Sequence, residues 1–400
     1  MEPNLRIKGF PGDWKEDPLK SFFTKVTNKN TRMQYSAVLT NSAEHGIIDQ
    51  RDYFDFDVAN SNNIGGYFVV QPDDFVYNPR VSVTAPVGPI NRNRLGYTGV
   101  MSPLYLVFKI NGINKDFLCH YYKTNKWHRF MRLSGNCGAR FDRLSISDDQ
   151  CVMMPIPHPV DSKEQQAISD YLDYLNSLIS SSTSSLASLK QTRLASLQAM
   201  FPQEGETMPK VRFKGFEGDW KKVKADSIFK TFNEKNRPDL PVLSATQDRG
   251  MVTRESIGYN IFHDKSNEAT YKHILPGQFV IHLRSFQGGF AHSEIEGIVS
   301  PAYTIMEFKD KELNHDYFWR YVFMSKEFIK RLELITYGIR DGRSISYDEF
   351  KEMYFLVPSK NEQVKIASYL RDLDKLIIIQ NQRLEKLKQI KSACLDKMFV

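Results

Sequence analysis

The chain has 400 residues, of which 41% are hydrophobic, 12% aromatic and 25% charged; this excludes disorder and low complexity and leaves room for two or three domains. A formal net charge of +7 favours a polyanionic partner without identifying one. The four cysteines, Cys119, Cys137, Cys151 and Cys394, form no C-x-x-C pair and suggest neither zinc nor a disulfide framework, so a reducing cytoplasm is the expected compartment.

The first residues, "MEPNLRIKGF", lack a basic region followed by an apolar stretch. No apolar run reaches the roughly 18 to 20 residues that span a bilayer, so neither a secreted nor a membrane protein is expected. Past "LRIKGFPGDWK" (5–15), the runs "GYFVVQPDDFVYNP" and "LYLVFKI" carry aromatic and β-branched residues punctuated by Pro and Gly, the pattern of strands. "PDDF" (72–75) reads as a turn between two of them, and "FLCHYYKTNKWHRFMRL" as a helix. These parts make a first α+β body over 1–160.

From 161 to 201 the pattern changes period. Leu172, Leu175, Ile179, Leu186 and Leu189 recur in steps of three and four or their sums, which predicts one long amphipathic helix with Asp161 or Ser162 as N-cap. The serine run at 180–185 lies inside this helix, because Leu186 and Leu189 keep the heptad phase through it. The linker falls instead at 202–210, where "PQEGETMP" has two prolines and a glycine.

Then the chain repeats itself. "VRFKGFEGDWK" (211–221) matches 5–15 at eight of eleven positions, and 362–399 matches 164–201 without a gap at sixteen of thirty-eight. Between these anchors lies a second body, 211–358, with strand signals in "HILPGQFVIHLR" and "AYTIMEF" and a helix in "YFWRYVFMSKEFIKRLELI". The second long helix, 359–400, repeats the apolar seam at Leu370, Leu373, Ile377, Leu384 and Leu387, with Ser359 as N-cap. Rods near 38 residues would be about 57 Å long, and a lone rod with one apolar stripe needs a partner, most simply the other copy. Two fused copies of one unit can be related by an approximate two-fold axis, as a symmetric dimer is.

Catalytic machinery is not legible. No glycine precedes a lysine and no two glycines lie two apart, which removes G-x-x-x-x-G-K-[ST] and G-x-G loops. Nor does any H-E-x-x-H occur among the nine histidines, and His282 and His292 read as strand or loop residues. "YNPR" (77–80) lacks the second proline and the aromatic of a base-gripping N-P-P-[YF] loop.

Two variable bodies alternating with two repeated helices, each helix opened by a Pro-rich turn and "EQ" (Glu164-Gln165, Glu362-Gln363), resemble the specificity (S) subunit of Type I restriction-modification enzymes over essentially the whole chain. The resemblance implies two target recognition domains, each reading half of a split DNA site, and an antiparallel coiled coil between them. It also implies that the chain is not itself an enzyme. Two modification subunits would dock on the helices and supply S-adenosylmethionine for adenine methylation. Optional restriction subunits would use ATP and Mg to translocate and cut. The rival expectations are a self-sufficient DNA methyltransferase or nuclease, and a structural coiled-coil protein.

Base edges are read by Arg or Lys on guanine and Asn or Gln on adenine, and phosphates are held by exposed cations. In the first body the candidates are Arg80, Arg92, Arg94, Tyr97, Arg140 and Arg143; in the second they are Arg284, Ser285, Gln287, Arg340 and Arg343. The aligned pairs Arg140 with Arg340 and Arg143 with Arg343 suit phosphate. "INRNRLGY" (90–97) and "RSFQGG" (284–289) are the expected reading heads. The ruler formed by the rods predicts an unspecified spacer of about 5 to 7 base pairs.

Overall fold

A computed structural model describes residues 1–53, 61–137, 142–246, 249–257, 265–282, 289–335 and 346–400. The chain forms two compact units, Met1–Thr183 with Arg383–Val400, and Ser184–Gln382. These boundaries do not follow the division into bodies and rods, because each unit takes in part of both long helices.

The first unit is built on a four-stranded antiparallel sheet in the order Phe23–Lys25, Leu106–Ile110, Phe75–Tyr77, Ile90–Arg92. In its register Phe75 lies opposite Phe108 on one side and Arg92 on the other. The second unit repeats the topology with Phe229–Phe232, Thr304–Phe308, Phe279–Ile281 and Phe290–His292. Here Phe279 lies opposite Met306 and His292.

Side chains alternate between the faces of a strand. Phe75 and Tyr77 accordingly enter one hydrophobic cluster while Val76 enters another, and Phe279 and Ile281 are split from Val280 in the same way. The turn read from "PDDF" is present: Asp73 has φ 73° and the buried Asp74 accepts the Gln71 amide at 2.8 Å. In the second unit Gly277 and Gln278 build the same turn, with Gln278 accepting the Leu275 amide at 2.8 Å.

Each helix expected after the sheet is instead two short ones. The first unit has Lys115–Tyr121 and His128–Ser134, and the second has Asp316–Met324 and Lys326–Ile335. The break in the second has a local cause. Ser325 is extended at ψ 144°, and its hydroxyl accepts the Phe328 amide at 3.2 Å, so the residue caps a new helix in place of continuing the old one.

The long helices run Ser162–Ala199 and Lys360–Lys397, 38 residues each, and the first passes through the serine run unbroken. Asp161 caps the first through the Lys163 amide at 2.8 Å, and Ser359 caps the second through Glu362 at 3.4 Å. Their apolar residues are shared unequally between the cores. The first unit's core holds Ile168, Leu172 and Leu175 from the start of one helix and Cys394, Met398 and Phe399 from the end of the other, with Leu387 packed against it. The second unit's core holds Ile366, Leu370 and Leu373 with Leu197, Met200 and Phe201, and Leu189 packs against it. Leu186 and Leu384 are buried, whereas Ile179 and Ile377 are half-buried. Within each unit, therefore, one helix's beginning lies against the other's end.

The repeated letters outside the seam build a joint. Arg6 donates from Nε and Nη2 to the two Glu164 oxygens at 2.7 and 2.8 Å, and from Nη1 to the Gly12 carbonyl at 2.6 Å. Arg212 meets Glu362 at 2.7 and 2.8 Å and the Gly218 carbonyl at 2.6 Å. Both glutamates are 1% exposed. The neighbouring glutamines complete the joint. Gln165 accepts the Asn114 amide at 2.8 Å and donates to the Pro159 carbonyl at 2.8 Å, while Gln363 accepts from His315 at 2.9 Å and donates to Pro358 at 3.1 Å. "KGFxGDW" and "EQ" are thus two halves of one lock between the leading segment, the body and the helix start.

Removing one partner of a buried, bidentate ion pair strands the other charge. Arg6→Met should lower the urea stability of the first unit by about 3 kcal/mol. Adding Glu164→Leu should restore at least half of the loss, and a single variant with wild-type stability would show that the joint is not a determinant of the fold.

Candidate nucleic-acid interface

The candidate residues of the first unit fall into two clusters. In the first, Arg92 ends the edge strand Ile90–Arg92 and Arg94 follows it, beside the N-terminus of the helix Lys115–Tyr121. The Arg92 side chain is 14% exposed and shared between two acids, Asp73 through Nε at 2.7 Å and Asp116 through Nη1 at 2.9 Å. Arg94 is half exposed and also pairs with Asp116, and Lys115 reaches Asp73 at 3.4 Å. Three cations thus surround two carboxylates. Arg92 is committed to holding strand to helix, and Arg94 presents the accessible guanidinium.

The loop that follows is shaped by buried amides. Asn93, 1% exposed, donates to the carbonyls of Gln71 and Tyr97, both at 3.1 Å, and its own oxygen accepts Leu95 N–H at 3.1 Å. Tyr97 remains 42% exposed at the end of the loop. Burial, then the nearby Asp49 and Asp52, raises its phenol pKa, which keeps the hydroxyl a neutral donor.

In the second cluster Arg80 and Arg143 face each other across an isolated antiparallel bridge. The bridge is fixed by backbone bonds from Val81 to Asp142 and from Leu144 to Pro79, both at 2.9 Å. Arg80 is exposed; Arg143 is 41% exposed, with Asp142 at 4.0 Å. Arg140, Arg284, Ser285, Gln287, Arg340 and Arg343 lie outside the described residues.

The second unit uses different residues at the matched positions. His292 replaces Arg92 and bonds Asp316 at 2.9 Å, as Arg92 bonds Asp116. Glu294 stands where Arg94 stands, and it pairs with Arg320, one helical turn beyond Asp316, so the charge at that position is reversed and its partner is a different residue. Arg371, from the second long helix, lies 3.7 Å above the Tyr317 ring. Sequence reading gave no ion-pair role to Asp73, in the turn, nor to Asp116 and Asp316, whose signal was the acid in the first turn of each helix that faces the edge strand. Cys119, Cys151 and Cys394 are free thiols. Among the described residues, no group of three His, Cys, Asp or Glu could hold a metal ion, and no helix is long and apolar enough to cross a membrane.

A unit of this topology, built twice on two shared helices, is the fold of type I specificity subunits. Residues 217–389 match the family described as the Type I restriction modification DNA specificity domain. The S subunit of a Type I restriction-modification system from M. genitalium is similar over 100% of this chain and 99% of its own, at 14% identity and TM-score 0.58. The HsdS subunit from Thermoanaerobacter tengcongensis matches over 98% and 97%, at 15% identity and TM-score 0.51. A chain from a structure concerned with complex assembly and conformational transition of the type I R-M system matches over 98% and 99%, at 14% identity and TM-score 0.53. No curated protein matches the chain. The resemblance drawn from the repeated parts is borne out, as is the mixed α and β fold with two long helices.

Burial raises the Asp73 carboxyl, but the hydrogen bond and charge of Arg92, then Lys115, outweigh it and hold the group below the usual carboxylate range. A depressed carboxyl stabilises the fold above its unfolded value, about 3.9, and loses that effect as pH falls through the folded value. Asp73→Asn, which tolerates the positive φ, should therefore melt below wild type at neutral pH, with the gap closing under about pH 4. A gap independent of pH would contradict the assignment.

Proposed function

We propose that the chain is the non-catalytic DNA specificity subunit of a type I restriction-modification enzyme and reads a bipartite, nonpalindromic site, one half with each body. The observation that carries this reading is a frame built twice with unlike chemistry in matched positions: Arg94 beside Asp116 in one unit, Glu294 beside Arg320 in the other. Two like bodies would suit a palindrome, whereas two unlike ones suit two different half-sites. In this reading the half-site centres lie about one turn apart, with a gap of about 5 to 7 base pairs.

In this reading methyl transfer belongs to two modification subunits that bring S-adenosylmethionine and dock on the long helices. Restriction subunits, where present, bring ATP and Mg. The complex works on double-stranded DNA in the cytoplasm. This chain's own task is to bind and orient: exposed arginines hold the backbone, and loop side chains select the bases.

The test is co-expression with a modification subunit from the same host, followed by genome-wide mapping of methylated adenine. A split motif, two short unlike strings around a fixed gap, should appear only when this chain is present. A purified complex that adds no methylation, or that methylates an unsplit palindrome, would refute the proposal; methylation by the pure chain with S-adenosylmethionine would make it an enzyme.

A further inference from the structure

One feature of the first body reaches beyond the predicted loops. Residues 79–87 form a surface loop anchored at one end by the Arg80–Arg143 bridge and turned by mutual bonds between Ser82 and Ala85 at 3.0 and 3.2 Å. Val83 at its tip is fully exposed at 101%. Closing the loop requires glycine at 88: its φ is 83°, and a Cβ there would sit 2.0 Å from the Asn78 carbonyl oxygen.

The other end of the loop faces the short helix His128–Ser134. Pro86 lines an open groove of about 610 Å³ together with His128, Arg129, Arg132 and Leu133. Arg129 and Arg132 are three apart, hence on one helix face, and both are exposed. The helix is held against the bridge through Gly135, where a Cβ would come within 2.9 Å of the Leu144 side chain. One loop is therefore flanked by four arginines.

Two observations point to an anionic occupant. Like charges directly opposite across a bridge are destabilising, yet Arg80 and Arg143 are placed so, with Asp142 4.0 Å from Arg143 only. Among the described residues no carboxylate lies within ion-pair distance of Arg80, Arg129 or Arg132. This contrasts with Arg92 and Arg94, which are already neutralised by Asp73 and Asp116.

Resting on the specificity-subunit reading, we infer that the loop 79–87 and the helix His128–Ser134 form a phosphate-binding strip of the first body, with Arg129 and Arg132 as backbone contacts beside Arg80 and Arg143. These residues position the body on DNA and do not discriminate bases.

The measurement is fluorescence anisotropy of the full chain on a random-sequence duplex of about three helical turns, titrated across salt concentrations. Each phosphate contact accounts for roughly 0.9 of the log-log slope, so Arg129→Gln with Arg132→Gln should reduce it by nearly 2. The charge-matched control, Lys8→Gln with Lys20→Gln at exposed sites of the same unit, should leave the slope unchanged. Melting curves of both variants should overlay wild type. An unchanged slope in the arginine variant, or an equal drop in the control, overturns the strip while the specificity reading stands. Absence of salt-dependent binding by the wild-type chain removes both.

Discussion

The structure depends on a carboxylate that water cannot reach. Glu164 and Glu362 each sit 1% exposed at the first turn of a long helix, and an isolated charge there would be costly. Each is matched by an arginine in planar, two-bond geometry, the arrangement for which guanidinium is suited and lysine is not. Because the arginine comes from the leading segment and the adjacent glutamine from the same helix turn grips the body, the joint fixes three chain segments with three side chains. The two copies differ in detail: the Trp14 indole donates to Glu164 at 3.3 Å, whereas the Trp220 indole nitrogen is buried without a partner.

With the joint holding register, the edge of the sheet is free to change its chemistry. The acid at the start of the helix after the sheet is retained, as Asp116 or Asp316, and only the group it binds is exchanged, Arg92 for His292. One residue pair further out, the charge reverses, Arg94 for Glu294. A position that changes sign and finds a new partner one helical turn along, Arg320 in place of the acid at the helix start, changes the electrostatic face of the loop. That is the physical form a variable reading surface on a constant frame would take.

The fold was legible where a pattern repeats over many residues. The long helices could be placed to within about three residues at each end, because a three- and four-residue seam over ten turns has no strand alternative. The split of each shorter helix was not legible, since "YVFMSKEF" keeps a helical period while the Ser325 hydroxyl diverts the backbone. The interface was legible only by residue type. An arginine in the sequence does not reveal whether a distant acid already claims it, and Arg92, held by Asp73 and Asp116 at 19 and 24 residues' distance, shows that the partner decides. Arg129 and Arg132, the phosphate contacts proposed for the first body, do not stand out in the sequence for the converse reason: they stand on a helix, where loops were the expected readers.

The sharing of helices also constrains how the chain reaches its fold. The first unit's core is closed by Cys394, Met398 and Phe399, so residues near the start of the chain wait for residues near its end. The amide of Leu5 bonds the carbonyl of Lys397 at 2.9 Å, which is a contact across nearly the whole sequence. The second unit is completed by Leu197, Met200 and Phe201, which lie just ahead of its body, so its contacts are far more local. Loop closure of such different lengths has different entropic costs and rates. The duplicated unit is therefore symmetric in its parts and asymmetric in its assembly: the second copy can form from one continuous stretch, and the first is finished only when the last turn of the second helix arrives.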